Sequence, residues 1–385
     1  MVWLSFFPIA GFILALGYSL LTRWLLQAWD ALPEWDAPEG WTPHTHVSVI
    51  VPARNEEQSI GACLQSILQQ DYPEDLLECI VVDDHSTDQT AAVARATASS
   101  RIRLLSLAEH TDASIPVQSY KKKALEVGIA HAHGQLIVTT DADCRARPAW
   151  LRQLVSYYEA TGARAIAAPV LFSPVHNALE RFQALDFAGM MLVTGAGITQ
   201  QALYLANGAN LAYEKAAFEA AGGFSGNEQF ASGDDVFLIQ KIASRYPGQI
   251  GFVKSRDAVV YTPPQATLRA FFQQRLRWGA KNESYDSWRT TAVIGLVFLY
   301  CWAILAAILA LPFLPAYGAG LFLALFLAKA VSDYLLLSTA AHFFGRPRLL
   351  RGFLRSELMH VAYFALVGVL SLVVKHYEWK GRVVR

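Results

Sequence analysis

The chain has 385 residues, with 32 Lys+Arg against 32 Asp+Glu, and is 54% hydrophobic but only 17% charged, where soluble chains carry about 25% charge. That balance excludes a disordered chain, which needs low hydrophobicity and high net charge. It also argues against a nucleic-acid binder that relies on overall basicity. Cys63, Cys79, Cys144 and Cys301 are scattered without C-x-x-C spacing, so neither a disulfide framework nor a zinc site is expected.

Residues 2–21 carry no charge and no signal-peptide pattern, which predicts a first membrane span. Arg23 follows and places that end in the cytoplasm. A strand is expected at 47–51, where β-branched residues alternate up to Pro52. Asn55-Glu56-Glu57-Gln58 then resembles a helix start with a capping box. The following helix puts Ile60, Cys63, Leu64 and Ile67 on one face. A second strand at 79–82 runs into Asp83-Asp84-His85-Ser86-Thr87-Asp88. Further strands are expected at 102–105, 136–140 and 165–170, with helices at 121–133 and 148–160. Strands alternating with helices predict an α/β fold with a mostly parallel sheet.

Two amphipathic stretches, 175–191 and 266–285, read either as interfacial helices or as helices packed on protein. For 266–285 the interface is expected, because Leu268, Phe271, Phe272 and Leu276 form an apolar stripe just before a hydrophobic region. Residues 290–328 carry no charge and are broken by Pro312, Pro315, Gly318 and Gly320, which predicts spans near 291–312 and 318–340. Lys329 and Asp333 lie one helical turn apart and are expected to neutralise each other. Arg346, Arg348, Arg351 and Arg355 mark a cytoplasmic loop. The last apolar stretch, 358–374, is short of the about 20 residues a crossing takes, and either spans or dips in and returns. A basic tail, 376–385, closes the chain.

In open parallel sheets, ligands bind at the carboxyl ends of the strands. Two expected strands end there in acids: Asp83-Asp84 and Asp141-Ala142-Asp143. Acids converging on one edge repel unless a cation intervenes, and Mg²⁺ takes one or two carboxylates together with substrate phosphates. The implied ligand is a metal-bound diphosphate. No G-x-G-x-x-G follows a strand, and no P-loop or H-E-x-x-H is present, so dinucleotide, P-loop and zincin chemistries are disfavoured.

The ordered set Val51-Pro52-Ala53-Arg54-Asn55-Glu56-Glu57, Val82-Asp83-Asp84, Lys121-Lys122-Lys123, Thr140-Asp141-Ala142-Asp143, Asn207-Gly208-Ala209-Asn210, Gly233-Asp234-Asp235 and Gln274-Arg275-Leu276-Arg277-Trp278 resembles the family 2 glycosyltransferases of the bacterial membrane-anchored type. It covers about residues 45–285. The terminal Glu378-Trp379-Lys380-Gly381-Arg382 is similar to the tail of carotenoid glycosyltransferases.

The resemblance implies a GT-A nucleotide-sugar fold. The domains are then an N-terminal transmembrane helix (1–24), a cytoplasmic GT-A domain (45–265), an amphipathic helix with a Q-x-x-R-W element (266–286), a C-terminal membrane region of two or three spans (290–375) and the basic tail. It further implies that Pro52, Ala53, Glu56, Asp83, Asp84, Lys121, Asp141, Gln274 and Arg277 bind a donor, expected to be a UDP-sugar. Asp143 and Asp141 would hold Mg²⁺ or Mn²⁺. Asp235 would be the base, preceded by Asp234 where the family often shows Glu. Trp278, Asn207 and Asn210 would face the acceptor.

The expected activity is inverting transfer to a lipid or lipid-linked acceptor at the cytoplasmic face of a bacterial inner membrane, with no nucleic-acid partner. A processive polysaccharide synthase using the same site is the alternative. A transporter or binding protein with a degenerate domain is a third reading.

Overall fold

The computed structural model describes residues 2–97, 99–111, 119–227, 232–279, 287–374, 377–380 and 382–384. The chain divides into two compact units. An α/β unit comprises Leu32–Val175, Gly197–Pro264 and His376–Arg385; a helical unit comprises Met1–Ala31, His176–Ala196 and Gln265–Lys375.

In the α/β unit, strands β1 (Val47–Ala53), β2 (Leu77–Asp83), β3 (Ile102–Ser106) and β4 (Leu136–Thr139) run parallel. The helices Ile60–Leu68, Thr90–Ala96 and Tyr120–Ala130 connect them. Next come β5 (Arg145–Ala146), β6 (Ala165–Ala167), β7 (Val170–Phe172), β8 (Leu211–Glu214), β9 (Ile250–Phe252) and β10 (Val260–Thr262). A hairpin of β11 (Tyr377–Trp379) and β12 (Arg382–Val384) ends the chain. The main sheet has the order β3-β2-β1-β4-β8-β6-β9. Only β8 in it runs against its neighbours, pairing antiparallel with β4 and β6. The sheet is therefore mostly parallel.

Val49, Ile50 and Val51 of β1 are wholly buried, as expected where helices cover both faces of a parallel sheet. The strand order places β4 on the side of β1 away from β2. That reversal opens a crevice at the carboxyl ends of β1 and β4, the usual ligand position in such sheets.

The single strand expected at 165–170 is two strands. β6 belongs to the main sheet, while β7 joins β5 and β10 in a small sheet. Pro169 lies at the break and has no N–H to donate to a ladder.

Among the described residues, the helical unit holds four helices long and apolar enough to cross a membrane: Phe7–Ala31, Trp288–Leu309, Pro315–Phe343 and Phe353–Val373. Phe12, Ile13, Leu16, Val331 and Leu335 are exposed on them, an apolar surface of the kind that marks protein or membrane contact.

The last helix starts at Phe353, earlier than the apolar run alone suggests, and is 21 residues long. Glu357 interrupts that run, yet it is buried against Lys329 at 2.8 Å. The expected Lys329–Asp333 pair forms at 2.5 Å and belongs to a larger cluster. Lys329 Nζ also lies 3.2 Å from His360 Nδ1, and the Tyr18 hydroxyl donates to Asp333.

The stripe expected at a lipid interface is spent on protein. Its helix is Leu268–Gly279, and residues 280–286 of the expected stretch lie outside the described residues. Phe271 is wholly buried with Phe182, Tyr363 and Val367, and Phe272 and Leu276 pack on the same cluster. Leu268 alone of the stripe is exposed. Arg275 anchors the helix through Asp186 at 2.9 Å and lies 4.3 Å from the Trp278 ring centre.

Candidate active site

The carboxyl edge of the main sheet collects the acids that the sequence put at strand ends. β1 finishes in Pro52-Ala53 and β2 in Asp83, with Ala53 and Asp83 in register. Asp84 N–H donates to Ala53 O at 2.8 Å, holding the two strand ends together. The loops beyond are tied by Asn55, whose Oδ1 accepts from Thr87 N at 2.9 Å. Asn55 has a φ of 49°, a left-handed conformation that asparagine tolerates better than most residues. Asp83 Oδ1 is buried and has no hydrogen-bond partner among the described residues. A buried acceptor left open is costly unless a ligand donor reaches it.

Lys121 joins three parts of the sequence. Its Nζ is 2.8 Å from Asp141 Oδ1 and 3.4 Å from Asp234 Oδ2. Burial opposes the charge on Lys121, but Asp141 and Asp234 outweigh it and hold the ammonium above the usual lysine range. The neighbouring lysines point elsewhere. Lys122 donates to Asn227 O at 2.6 Å, and Lys123 pairs with Glu126 at 3.3 Å.

Asp234 and Asp235 open the helix Asp234–Arg245 after Gly233, whose φ is 85°. Acids in a first turn are favoured by the helix dipole. Asp235 Oδ2 accepts from Gly208 N at 3.0 Å, and its Oδ1 accepts from Val236 N at 2.7 Å. The Gly208 backbone passes so close that a Cβ there would lie 3.0 Å from Asp234 Oδ2 and 3.6 Å from Lys121 Nζ. A side chain at this position would press on the Asp234 carboxylate, which would have to give way by a few tenths of an ångström. Thr139 Oγ1 at the end of β4 donates to Gly208 O at 2.9 Å and fixes this segment to the sheet.

Beside Lys121, ligand atoms of Asp141, Asp143 and Cys144 lie within 4.8 Å of one another. Burial, then Asp141, then Glu56 push the Asp143 carboxyl up to about 6. Acids crowded in this way favour a bound cation. Burial, with Asp143 and Asp141 adding to it, keeps the Cys144 thiol protonated. The oxygen donors fit a hard divalent ion such as Mg²⁺ or Mn²⁺, which Asp143 and Asp141 would hold. Bound there, such an ion supplies Lewis-acid stabilisation of phosphate charge.

The two candidate acceptor asparagines separate. Asn207 caps the short turn Gly208–Asn210, accepting from Ala209 N at 2.9 Å. Asn210 is wholly buried, and the acceptor role expected for it does not fit. Its Oδ1 accepts from Trp150 Nε1, and its amide donates to Pro169 O and Ala258 O, each at 2.8 Å. Both amide hydrogens are spent on protein and the side chain is wholly buried, so Asn210 is the anchor of the loop carrying Gly208.

Gln274, Arg277 and Trp278 belong to the helical unit, on the helix Leu268–Gly279. Gln274 Oε1 is buried without a hydrogen-bond partner among the described residues. Trp278 packs on Phe187, with ring centres 5.7 Å apart.

Two residues of the C-terminal tail also reach the sheet edge. Arg382 clamps Asp84 and Lys380 pairs with Glu56.

A mostly parallel sheet that gathers acids, a lysine and a close-approach glycine at the carboxyl ends of its strands defines an α/β protein with a charged candidate site at that edge. The model of the family "Glycosyl transferase family 2" matches residues 48–222, and that of "Glycosyl transferase family group 2" matches 136–344. The chain belongs to the family 2 glycosyltransferases, enzymes of the GT-A fold.

Among curated relatives, it is 32% identical over 127 residues to glycosyltransferase AglE of Haloferax volcanii, covering 33% of this chain and 40% of that one. It is 31% identical over 156 residues to 4,4'-diaponeurosporenoate glycosyltransferase of Staphylococcus aureus, covering 40% and 39%. The matches thus span about two fifths of the length of these relatives. Among solved structures, the mannosyltransferase PcManGT of Pyrobaculum calidifontis, in complex with GDP-Man and Mn²⁺, superposes over 96% of this chain and 99% of its own. The TM-score is 0.61 at 24% identity.

Proposed function

We propose that this glycosyltransferase moves a sugar from a nucleoside diphosphate donor, a UDP-sugar by the family resemblance, to a lipid or lipid-linked acceptor at the cytoplasmic face of a membrane. The supporting observation is Lys121 bridging Asp141 and Asp234 beside Asp143, with Asp235 hydrogen-bonded to the intervening Gly208.

In this reading Asp83 offers its open acceptor oxygen to the nucleobase, near Pro52 and Ala53. Asp141 and Asp143 hold the metal, and Lys121 stabilises charge on the departing diphosphate, where fixed cations are most effective. Asp235 takes the proton of the acceptor hydroxyl as it attacks. With one base and no covalent nucleophile assigned, the anomeric configuration inverts. Gln274 and Arg277 contact the donor, and Trp278 and Asn207 the acceptor. The helices Phe7–Ala31, Trp288–Leu309, Pro315–Phe343 and Phe353–Val373 hold the enzyme in the bilayer where its acceptor resides.

The test is to supply membranes containing the enzyme with a panel of UDP- and GDP-sugars and Mn²⁺, then to analyse the lipid fraction by mass spectrometry. One sugar added to a lipid, from a UDP-sugar, is expected. Label confined to water-soluble products contradicts the lipid acceptor, and turnover of GDP-sugars alone contradicts the donor.

A further inference from the structure

The hairpin β11–β12 brings two cations to acids almost the whole chain away. Arg382 Nη1 lies 2.9 Å from Asp84 Oδ1 and 2.7 Å from Oδ2, and the Asp84 side chain is only 3% exposed. The same guanidinium sits over the Tyr120 ring, 3.6 Å from its centre. Tyr120 in turn meets His85 edge-on at 5.7 Å, and His85 Nδ1 lies 3.0 Å from Asp84 Oδ1.

Lys380 pairs with Glu56 and donates to Arg54 O at 2.8 Å. Arg54 returns the contact by donating from Nε to Lys380 O at 3.3 Å, and its Nη1 donates to Asp84 O and His85 O at 2.8 and 3.0 Å. The hairpin is therefore fastened to the loops after both β1 and β2. These contacts engage the sheet edge itself, and a tail serving only solubility has no need of them.

The clamp changes what Asp84 can do. A buried carboxylate held on both oxygens by one guanidinium is committed to it, since charge-assisted contacts of this kind are among the strongest. Asp83 keeps the open acceptor oxygen. Lys380 stands at Glu56, one of the acids that crowd Asp143.

We propose that the C-terminal hairpin is a working wall of the donor site. Arg382 is a positioning residue that locks Asp84 and Tyr120 around the nucleobase pocket, and Lys380 is a cation that meets the donor diphosphate. The proposal rests on the donor-site reading above. In this account the hairpin completes the pocket, whereas a plug would compete with the donor for it.

The test is calorimetry on the full chain in nanodiscs with Mn²⁺, using UDP, GDP, uridine and guanosine as probes. Wild type is compared with Arg382→Ala, Arg382→Lys and Lys380→Met. Arg382→Ala is expected to weaken the bound nucleoside and its diphosphate by about tenfold to a hundredfold, the worth of a hydrogen bond to a charged group. Arg382→Lys, which keeps a charge for Asp84, recovers part of that loss. Lys380→Met, at a partly exposed residue, weakens the diphosphate but leaves the nucleoside unchanged. A clasp with a merely structural role would not separate the two probes.

Wild-type affinity in both Arg382→Ala and Lys380→Met, or tighter binding in either, overturns the proposal and makes the hairpin a bystander or a plug. Failure of wild type to bind either diphosphate overturns the donor-site reading itself, and the hairpin proposal with it.

Discussion

Two lysines in this chain each sit between two acids, and their surroundings differ. Lys121 at the sheet edge is 20% exposed and faces Asp141, itself 36% exposed, and Asp234. Lys329 in the helical unit is wholly buried between Asp333 and Glu357, whose side chains are 9% and 1% exposed. The same ingredients serve two purposes. In both, acids outnumber the lysine, but the closed cluster is sealed inside protein, with Lys329 on both carboxylates and the Tyr18 hydroxyl donating to Asp333. In the open one an edge stays accessible, and on the proposed reading it is completed by what binds there. Accessibility of the charges, more than their number, separates a working site from a structural one.

That contrast can be broken in several ways. Removal of divalent metal should affect only the open cluster. Treatment with EDTA is expected to reduce transfer to background without lowering the melting temperature, and added Mn²⁺ or Mg²⁺ should restore it. Full activity in EDTA would mean that Asp141 and Asp143 do not work through a metal. Lys329→Met should do the reverse. It leaves two buried carboxylates without their cation, which costs about 3–5 kcal/mol, visible as a lower melting temperature in detergent. Turnover per folded molecule should stay near wild type. Loss of turnover with unchanged melting would move Lys329 into the working site.

Gly208→Ala sharpens the open side of the comparison. The added methyl meets Asp234 and Lys121, and displacing groups in a reacting site by a fraction of an ångström is expected to cost about tenfold to a hundredfold in kcat. A variant with normal kinetics would show that the pair moves freely. Asn210→Ala should be the mildest in activity. It leaves Trp150 Nε1 and two carbonyls unanswered, at about 2 kcal/mol of stability, while the acceptor KM holds. A raised acceptor KM with normal stability would restore Asn210 to the acceptor site.

The sequence made much of the open cluster readable because parallel strands end at one edge, where Asp141 and Asp143 follow a β-branched run, while Asp234 and Asp235 open a helix after Gly233. Within the run Lys121–Lys123 the family resemblance alone favours Lys121, since consecutive helical residues point in different directions and the packing of the helix Tyr120–Ala130 decides which reaches Asp141. Asn210 looked like its neighbour Asn207, because burial and partners such as Trp150 and Ala258 leave no local trace.

The start of the last helix was hidden by Glu357, whose charge makes sense only against Lys329. The stripe Leu268, Phe271, Phe272 and Leu276 has the same period whether it faces lipid or Phe182 and Tyr363. The hairpin was the hardest to foresee. Arg382 stands 298 residues from Asp84, and nothing in a short basic tail announces that distance will be closed.

The central claim is that the open cluster transfers a sugar with Asp235 as base. Its most direct test is Asp235→Asn, with transfer of radiolabelled sugar and calorimetric donor binding measured on the same preparation. Donor affinity is expected to be kept while transfer falls by about 10²–10⁴-fold, the usual worth of a general base. Wild-type turnover by Asp235→Asn would contradict it.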